Sequence, residues 1–489
     1  MKESVEAELD RLRDAAREQS ARRIITLRRE GTRYVRVGDQ TFSGLWPEFF
    51  PFLDHYLQAV FGDQWCREEQ GKPLAERHPA MQWRDSVMRY LSDRIPPGGG
   101  LVPMTGAASA YFCLAYNLFL LATNAEVCAW LLTRLKLARS FHGAYYETLV
   151  AAWFILADFD LTLEDETDRT ESHCEFSAIS RHSGKAYSVE AKSRAPGKSH
   201  LAIRNQLYKA LRKTAQHERV VMIDVNVPNG RPPEQELSEL MSSIRRAEPT
   251  LTVDRQPAPP AIVLVTNTPF HHELDEVGTV CTVFSEGFKI PEFGMDARFP
   301  TLIDAFKAFR EYKDIYRLRA AIEEYEIPNY FEPAASPPMG RTADYRIWRI
   351  GTIAPLAEFN GERAVLIRAA VSPTEKVAFF RLRHMDTGVV IALKVKMSDE
   401  DLEVYGRVRH WAYFGGWNID SPTVLFSWCY DMIASAPRER LLLMIGPNGD
   451  PGESDEVLRL TYCEVFVRQT MGMNTVPVTG SVDASELSS

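Results

Sequence analysis

Two short runs, RVVMIDVNV at 219–227 and AIVLVTN at 261–267, are apolar at nearly every position. Neither alternates, so each must be covered on both faces. The PNGRPP that follows the first and the Pro-rich linker before the second leave too few residues for a helix. Strands buried on both sides need helices on both sides, and helical patterns stand where they are required. EQELSELMSSIRRA lies between the two runs, HLAIRNQLYKALRKTAQ precedes the first, and FHGAYYETLVAAWFILADF lies further upstream. DLTLED, HCEFSAIS and KAYSVEAKS fill the interval as three strands, the last two joined around Ser183-Gly184. From 141 the order is helix, three strands, helix, strand, helix, strand. This predicts an α/β sandwich on a mixed sheet, in which strands joined by a helical crossover run parallel.

The 489 residues suffice for about three domains, each with its own core. Residues 1–140 read as a charged N-terminal helix, a strand pair in RYVRVGDQTF turning at Gly38-Asp39, and an aromatic-rich helical domain. The central α/β domain spans 141–290. Residues 291–335 form a helical connector, 336–472 a strand-rich α+β domain, and 473–489 a disordered tail. In the C-terminal domain RAVLIRAAV, KVAFFRLRHM, GVVIALKVKM, TVLFSW, ERLLLMIG and LTYCEVFVRQ are all expected as strands or strand-like runs. The seven cysteines are odd in number, scattered and without a CxxC pair, which argues against a disulfide framework or zinc module and favours the reducing cytoplasm. AASAYFCLAYNLFLLAT has about the length of a membrane span but contains Asn117, and is expected as a buried helix with no membrane partner. The apolar N-terminal helices are candidates for self-assembly or for docking a partner protein.

On a strand, Glu190-Ala191-Lys192 places carboxylate and ammonium on one face. The other [DE]-x-K match, Glu311-Tyr312-Lys313, lies in a helical pattern, where residues two apart diverge. Glu175 is on the neighbouring strand, and carboxylates on adjacent strands can converge on one hard cation. Glu147 is the single acid between Phe141 and Ala157. Buried there, it must be neutralised, bound to a metal, or paired with Arg134 or Arg139. The net charge of -9 gives no global attraction to nucleic acid, yet residues 181–219 carry ten Lys or Arg against two acids. Arg194, Lys198, Arg204, Lys209, Arg212 and Lys213 within this block are candidates for tracking phosphates, with a solvated helix face as the alternative.

Glu147, Glu175 and Glu190-Ala191-Lys192, on helix, strand and strand in that order, resemble the PD-(D/E)XK nuclease superfamily over about 141–270. The resemblance implies a restriction-endonuclease-like αβββαβ core and a Mg2+-dependent endonuclease, with Mn2+ as a substitute. The substrate would be nucleic acid, DNA first, cut to a 5'-phosphate and a 3'-hydroxyl. It implies that Glu175, Glu190 and the Ala191 carbonyl hold the metal, with Glu147 joining through water. Lys192 would orient the attacking water or stabilise phosphate charge, and Gln206 and Lys209 would contact the backbone. Such folds serve bacterial restriction, anti-phage defence and mobile elements. The sequence has Cys174-Glu175 where the family usually has Pro-Asp, and Asp168 and Glu171 are nearby alternatives. A noncatalytic nucleic-acid or protein-binding module retaining the fold is the alternative function.

Other patterns carry less. HGAYYE lacks the second histidine of a zincin, GPNGDPGESDE breaks the calcium-loop pattern, and His271-His272 reads as a structural turn. No G-x-x-x-x-G-K-[ST] loop occurs, so no NTPase motif is evident.

Overall fold

The computed structural model describes residues 2–17, 24–94, 103–125, 127–164, 174–194, 203–228, 233–276, 281–293, 299–323, 325–328, 331, 353–355, 362–372, 375–385, 387–399, 402, 417–418 and 421–473. Lys198, Asp168, Glu171 and the tail from 474 lie outside them. By contacts the chain divides into one unit of Met1–Met295 with Asp314–Ser336 and a second of Asp296–Lys313 with Pro337–Ser489.

The first unit opens with α1 (Lys2–Arg17) against the antiparallel strands β1 (Ile25–Arg29), β2 (Thr32–Val37) and β3 (Gln40–Gly44). The expected strand pair is β2–β3, with β1 added. Val5, Leu9 and Ile25 form a small core there, and Arg36 ties helix to sheet through Glu6 at 2.7 Å and Asp10 at 2.9 Å. The helices α2 (Phe49–Phe61), α3 (Asp63–Gln70), α4 (Pro79–Arg94), α5 (Gly106–Asn124) and α6 (Ala129–Lys136) follow. The membrane-length run is α5. It is long and apolar enough to cross a bilayer, but 83% of its most apolar window is buried within the protein. Thr105 caps it by accepting from Ala108 N, while Gly106 N and Ala107 N donate to the carbonyls of Glu276 and Leu274. A Cβ at Gly106 would stand 2.5 Å from the Phe270 carbonyl oxygen, so this close backbone approach requires glycine.

α7 (Ala138–Leu156) is buried along most of its length, as its nearly uninterrupted apolar sequence demands. Asp158, at φ 64°, turns the chain from α7 into β4 (Phe159–Leu163). Phe154 then packs edge-on against Phe159 at 5.0 Å and Phe176 at 5.4 Å. β5 (Phe176–Ser180), β6 (Ala186–Ser193), α8 (Ile203–Leu211), β7 (Glu218–Asp224), α9 (Pro233–Ala247), the small hairpin β8 (Thr252–Val253) and β9 (Gln256–Pro257), β10 (Ala261–Asn267) and β11 (Thr282–Phe288) complete the core. The six-stranded sheet runs β11-β10-β7-β6-β5-β4. Its β4–β5–β6 meander is antiparallel, β6–β7 and β7–β10 are parallel, and β11 closes the edge antiparallel. The sheet is mixed, as expected, and β11 adds a sixth strand that the sequence pattern did not indicate. Leu207 and Leu211 of α8 and Ile244 of α9 cover Val221, Ile223, Val263 and Val265 on one face. Each such fully buried side chain contributes about 1.5–3 kcal/mol. α11 (Lys313–Glu323) falls almost wholly in this unit, after α10 (Leu302–Glu311) of the second.

The second unit carries β12 (Ile353–Pro355), β13 (Arg363–Ser372), β14 (Val377–His384), β15 (Val390–Lys396) and β16 (Trp417–Asn418) in one sheet. α12 (Pro422–Ile433), α13 (Arg438–Ile445) and α14 (Asp455–Thr470) follow. These three correct the sequence reading. TVLFSW, ERLLLMIG and LTYCEVFVRQ are helical, so the domain is α+β but less strand-rich than expected. Their starts carry helix chemistry: Pro422 in the first turn of α12, and Ser454, whose hydroxyl accepts from Val457 N, ahead of Asp455 and Glu456.

Candidate active site

β6 lies inside the sheet, between β5 and β7, so its middle residues are enclosed whatever their polarity. Glu190 is 1% exposed and Glu175 7%. Glu175 sits where the chain enters β5, held by its own N–H donating to the Val189 carbonyl at 3.0 Å and its carbonyl accepting from Glu164 N at 3.1 Å. That backbone bond keeps Glu175 alongside Glu190. The Lys192 ammonium pairs with Glu190 Oε1 and lies 3.5 Å from Glu175 Oε1. The two carboxylates therefore converge on one cationic centre. Burial lowers the lysine's pKa, but Glu190 and then Glu175 outweigh it and hold the ammonium above its ordinary value, with Glu147 adding in the same direction.

Glu147 is in the same neighbourhood and is differently engaged. Its carboxylate accepts a two-pronged pair from Arg134, at 2.7 and 2.6 Å, which is the pairing alternative seen in the sequence. It shares the walls of a small cavity with Glu175, Trp130 and Phe176. A carboxylate locked to a guanidinium has little freedom to turn to a second cation. Glu147→Gln is accordingly expected to lose about 1–3 kcal/mol of stability. Urea unfolding checks this; an unchanged midpoint would mean that the Arg134 pair adds nothing to stability.

Cys174, at the position of the usual proline, is buried and donates to the Thr214 carbonyl at 3.4 Å. Burial first, and then Glu190, push its thiol up to about 12, so it stays neutral at this site. Among the described residues, no three His, Cys, Asp or Glu side chains are grouped so as to hold one ion. The carboxylates that adjoin one another here are Glu175 and Glu190, and the Lys192 ammonium supplies the cationic charge between them.

The basic block is partly spent within the fold. Arg181 pairs with Asp160, Lys185 with Glu218, and Arg219 donates to the Lys213 carbonyl. Arg194 donates to the Asn226 carbonyl at 3.3 Å, and Arg204 to Thr250. Lys209 and Arg212 on and just after α8 are exposed, with no ion pair among the described residues, while Gln206 and Lys213 are half-buried.

A second titratable group escaped the sequence reading. Asp224, the lone acid in RVVMIDVNV, is 2% exposed and accepts from Thr268 N at 3.1 Å and Thr268 Oγ1 at 3.0 Å. Burial pushes its carboxyl up to about 7, against the pull of these hydrogen bonds. His271 and His272 end a 3-10 turn, Pro269–His272, with rings 4.4 Å apart; His142 lies 5.2 Å from His271. His272 Nε2 bonds Asn226 Oδ1 at 2.6 Å, and burial, then His272 and His142, push His271 down to about 3.

No protein-family model matches this chain, no curated protein is significantly similar to it, and no solved structure matches its fold.

Proposed function

We propose that the chain is a metal-dependent endonuclease that hydrolyses phosphodiester bonds in nucleic acid, DNA first, with a PD-(D/E)XK-type core in 141–270. The observation that carries this reading is the convergence of Glu175 and Glu190, from adjacent strands, on the ammonium of Lys192. It occurs on β6, where the antiparallel meander gives way to parallel crossovers. Mg2+ held by Glu175, Glu190 and the Ala191 carbonyl would supply Lewis-acid polarisation of a phosphoryl oxygen and acidify a water. Lys192 stays protonated beside its two carboxylates, so its N–H groups donate. The N–H not directed at Glu190 or Glu175 would orient the attacking water or stabilise negative charge on a phosphate oxygen. Glu175 and Glu190 fix the ammonium before substrate arrives, and Arg134 with Glu147 holds the α7 side of the cavity. The deep burial of Glu190 favours a second reading, a noncatalytic module in which the acid–lysine cluster only braces the sheet.

The test is cleavage of supercoiled plasmid and single-stranded DNA in Mg2+, Mn2+ or EDTA, beside Glu190→Ala. Nicking that needs metal and falls by at least about 10²-fold in the variant is expected. Equal behaviour of wild type and variant, with DNA binding intact, would replace the nuclease by the binding module.

A further inference from the structure

β13, β14 and β15 together contain six Lys or Arg and no Asp or Glu, in a chain of net charge -9. The strand registers sort these cations onto one face. Leu366 faces Leu382, Ala378 faces Val395, Phe380 faces Leu393 and Leu382 faces Ile391, all within one apolar core. The alternate positions form the other face: Arg363, Arg368 opposite Arg381, Arg383 opposite Val390, Lys394 opposite Phe379, and Lys396 opposite Val377. Arg363, Arg383, Lys394 and Lys396 are exposed and Arg381 half-buried, and none of these five has an ion pair among the described residues. Of the acids near the strand ends, Glu362 pairs with His384 and Asp399 with Lys376 at 2.5 Å, while Glu375 stands exposed in the turn before β14. Phe379 interrupts the cationic face: with its neighbour Val377 it is buried, covered by Trp428 of α12 and Phe466 of α14, and Lys394 Nζ lies 5.5 Å from its ring centre, so the exposed cations border a helix-covered patch.

A solvated face rarely keeps only one sign of charge, because interspersed acids relieve the repulsion. A row of uncompensated cations is suited to a polyanion. Same-face residues two apart on a strand are spaced about 6.7 Å, roughly twice the 3.4 Å axial rise per phosphate on one DNA strand. We infer that the cationic face of the β13–β15 sheet is a nucleic-acid-binding surface that tracks a phosphate backbone. The inference rests on the nuclease reading for the identity of the polyanion. It gives the C-terminal domain the work of holding substrate, which the partly spent basic block around α8 performs less fully.

The experiment is fluorescence anisotropy of a labelled oligonucleotide, single-stranded and duplex, with the full chain in EDTA over a salt series. The triple variant R383E/K394E/K396E is compared with wild type and with Glu190→Ala, and R383Q/K394Q/K396Q replaces it if circular dichroism shows a lost fold. The charge variants are expected to bind at least about tenfold more weakly near 0.1 M salt. Their log–log salt slope should be shallower by about 2–3, since each lost phosphate contact removes about 0.7–0.9. Binding and slope equal to wild type overturn the inference. So does wild type that sediments with anionic vesicles but ignores the oligonucleotide, an outcome to which the exposed Met385, Val389 and Val390 at the β14–β15 turn would then point. If wild type never cuts DNA yet the charge variants lose binding, the sheet surface stands and the nuclease reading falls.

Discussion

On the proposed nuclease reading, Lys192→Ala protein is expected to nick DNA about 10²–10³-fold more slowly than wild type and, in EDTA, to be about 3–5 kcal/mol less stable. The stability loss follows from what the lysine leaves behind. Glu190, 1% exposed, and Glu175, 7% exposed, would face each other across the space its ammonium now fills. Removing one partner of a buried pair strands the other's charge, which is why the cost exceeds the value of the pair itself. The same void also makes the sharper prediction. With no ammonium to displace, the variant should take up Mg2+ more readily than wild type. Free metal at a hundredfold excess over its Kd should return about 2.7 kcal/mol. Urea unfolding in EDTA and in Mg2+ reads both effects. Variant midpoints that do not move with metal would mean that the two acids do not form a cation site.

Asp224 should give the largest pH effect on stability. Its carboxyl is raised in the folded state to about 7 from an ordinary 3.8. The folded protein therefore holds a proton that the unfolded chain releases. The stabilising contribution is complete below about pH 4 and is lost as pH rises through about 7, a change on the order of 4 kcal/mol. The buried histidines act in the opposite sense. His271, lowered to about 3, and His78, lowered to about 4, contribute stability above about pH 6.5 that is lost as pH falls. The wild-type profile mixes these slopes, and Asp224→Asn separates them. An asparagine keeps an acceptor for Thr268 N and cannot ionise. Relative to wild type, it should gain up to about 4 kcal/mol between pH 4.5 and 8. Parallel denaturation profiles for the two proteins would show that Asp224 is already ionised across this range.

The central sheet was legible because its strands announce themselves twice, by composition and by the Pro and Gly that bound them. The site was legible in part. Period-two alternation put Glu190 and Lys192 on one face, and the pairing of β5 with β6 brought Glu175 to them. The partner of Glu147 remained open because Arg134 and Arg139 both lie just upstream, and only the packing of α6 on α7 selects Arg134. Asp224 was hidden inside an apolar run, where one acid looks like an interruption and not a buried group. The errors at TVLFSW, ERLLLMIG and LTYCEVFVRQ have a single cause. Runs of six to ten apolar residues do not distinguish strand from helix by periodicity. There the local starts, Ser-Pro before α12 and Ser-Asp-Glu at α14, were the better guide.

The docking of α5 bears on how the protein is made. The helix spans 106–124, yet the carbonyls that receive its first N–H groups belong to Leu274 and Glu276, which leave the ribosome about 170 residues later than Gly106. At ordinary synthesis rates of about 5–20 residues per second, a membrane-length apolar segment waits roughly 10–30 s for these partners of its first turn. In that interval α2 and α7, which pack against α5 in the folded protein and are made well before residue 274, are the elements placed to cover it.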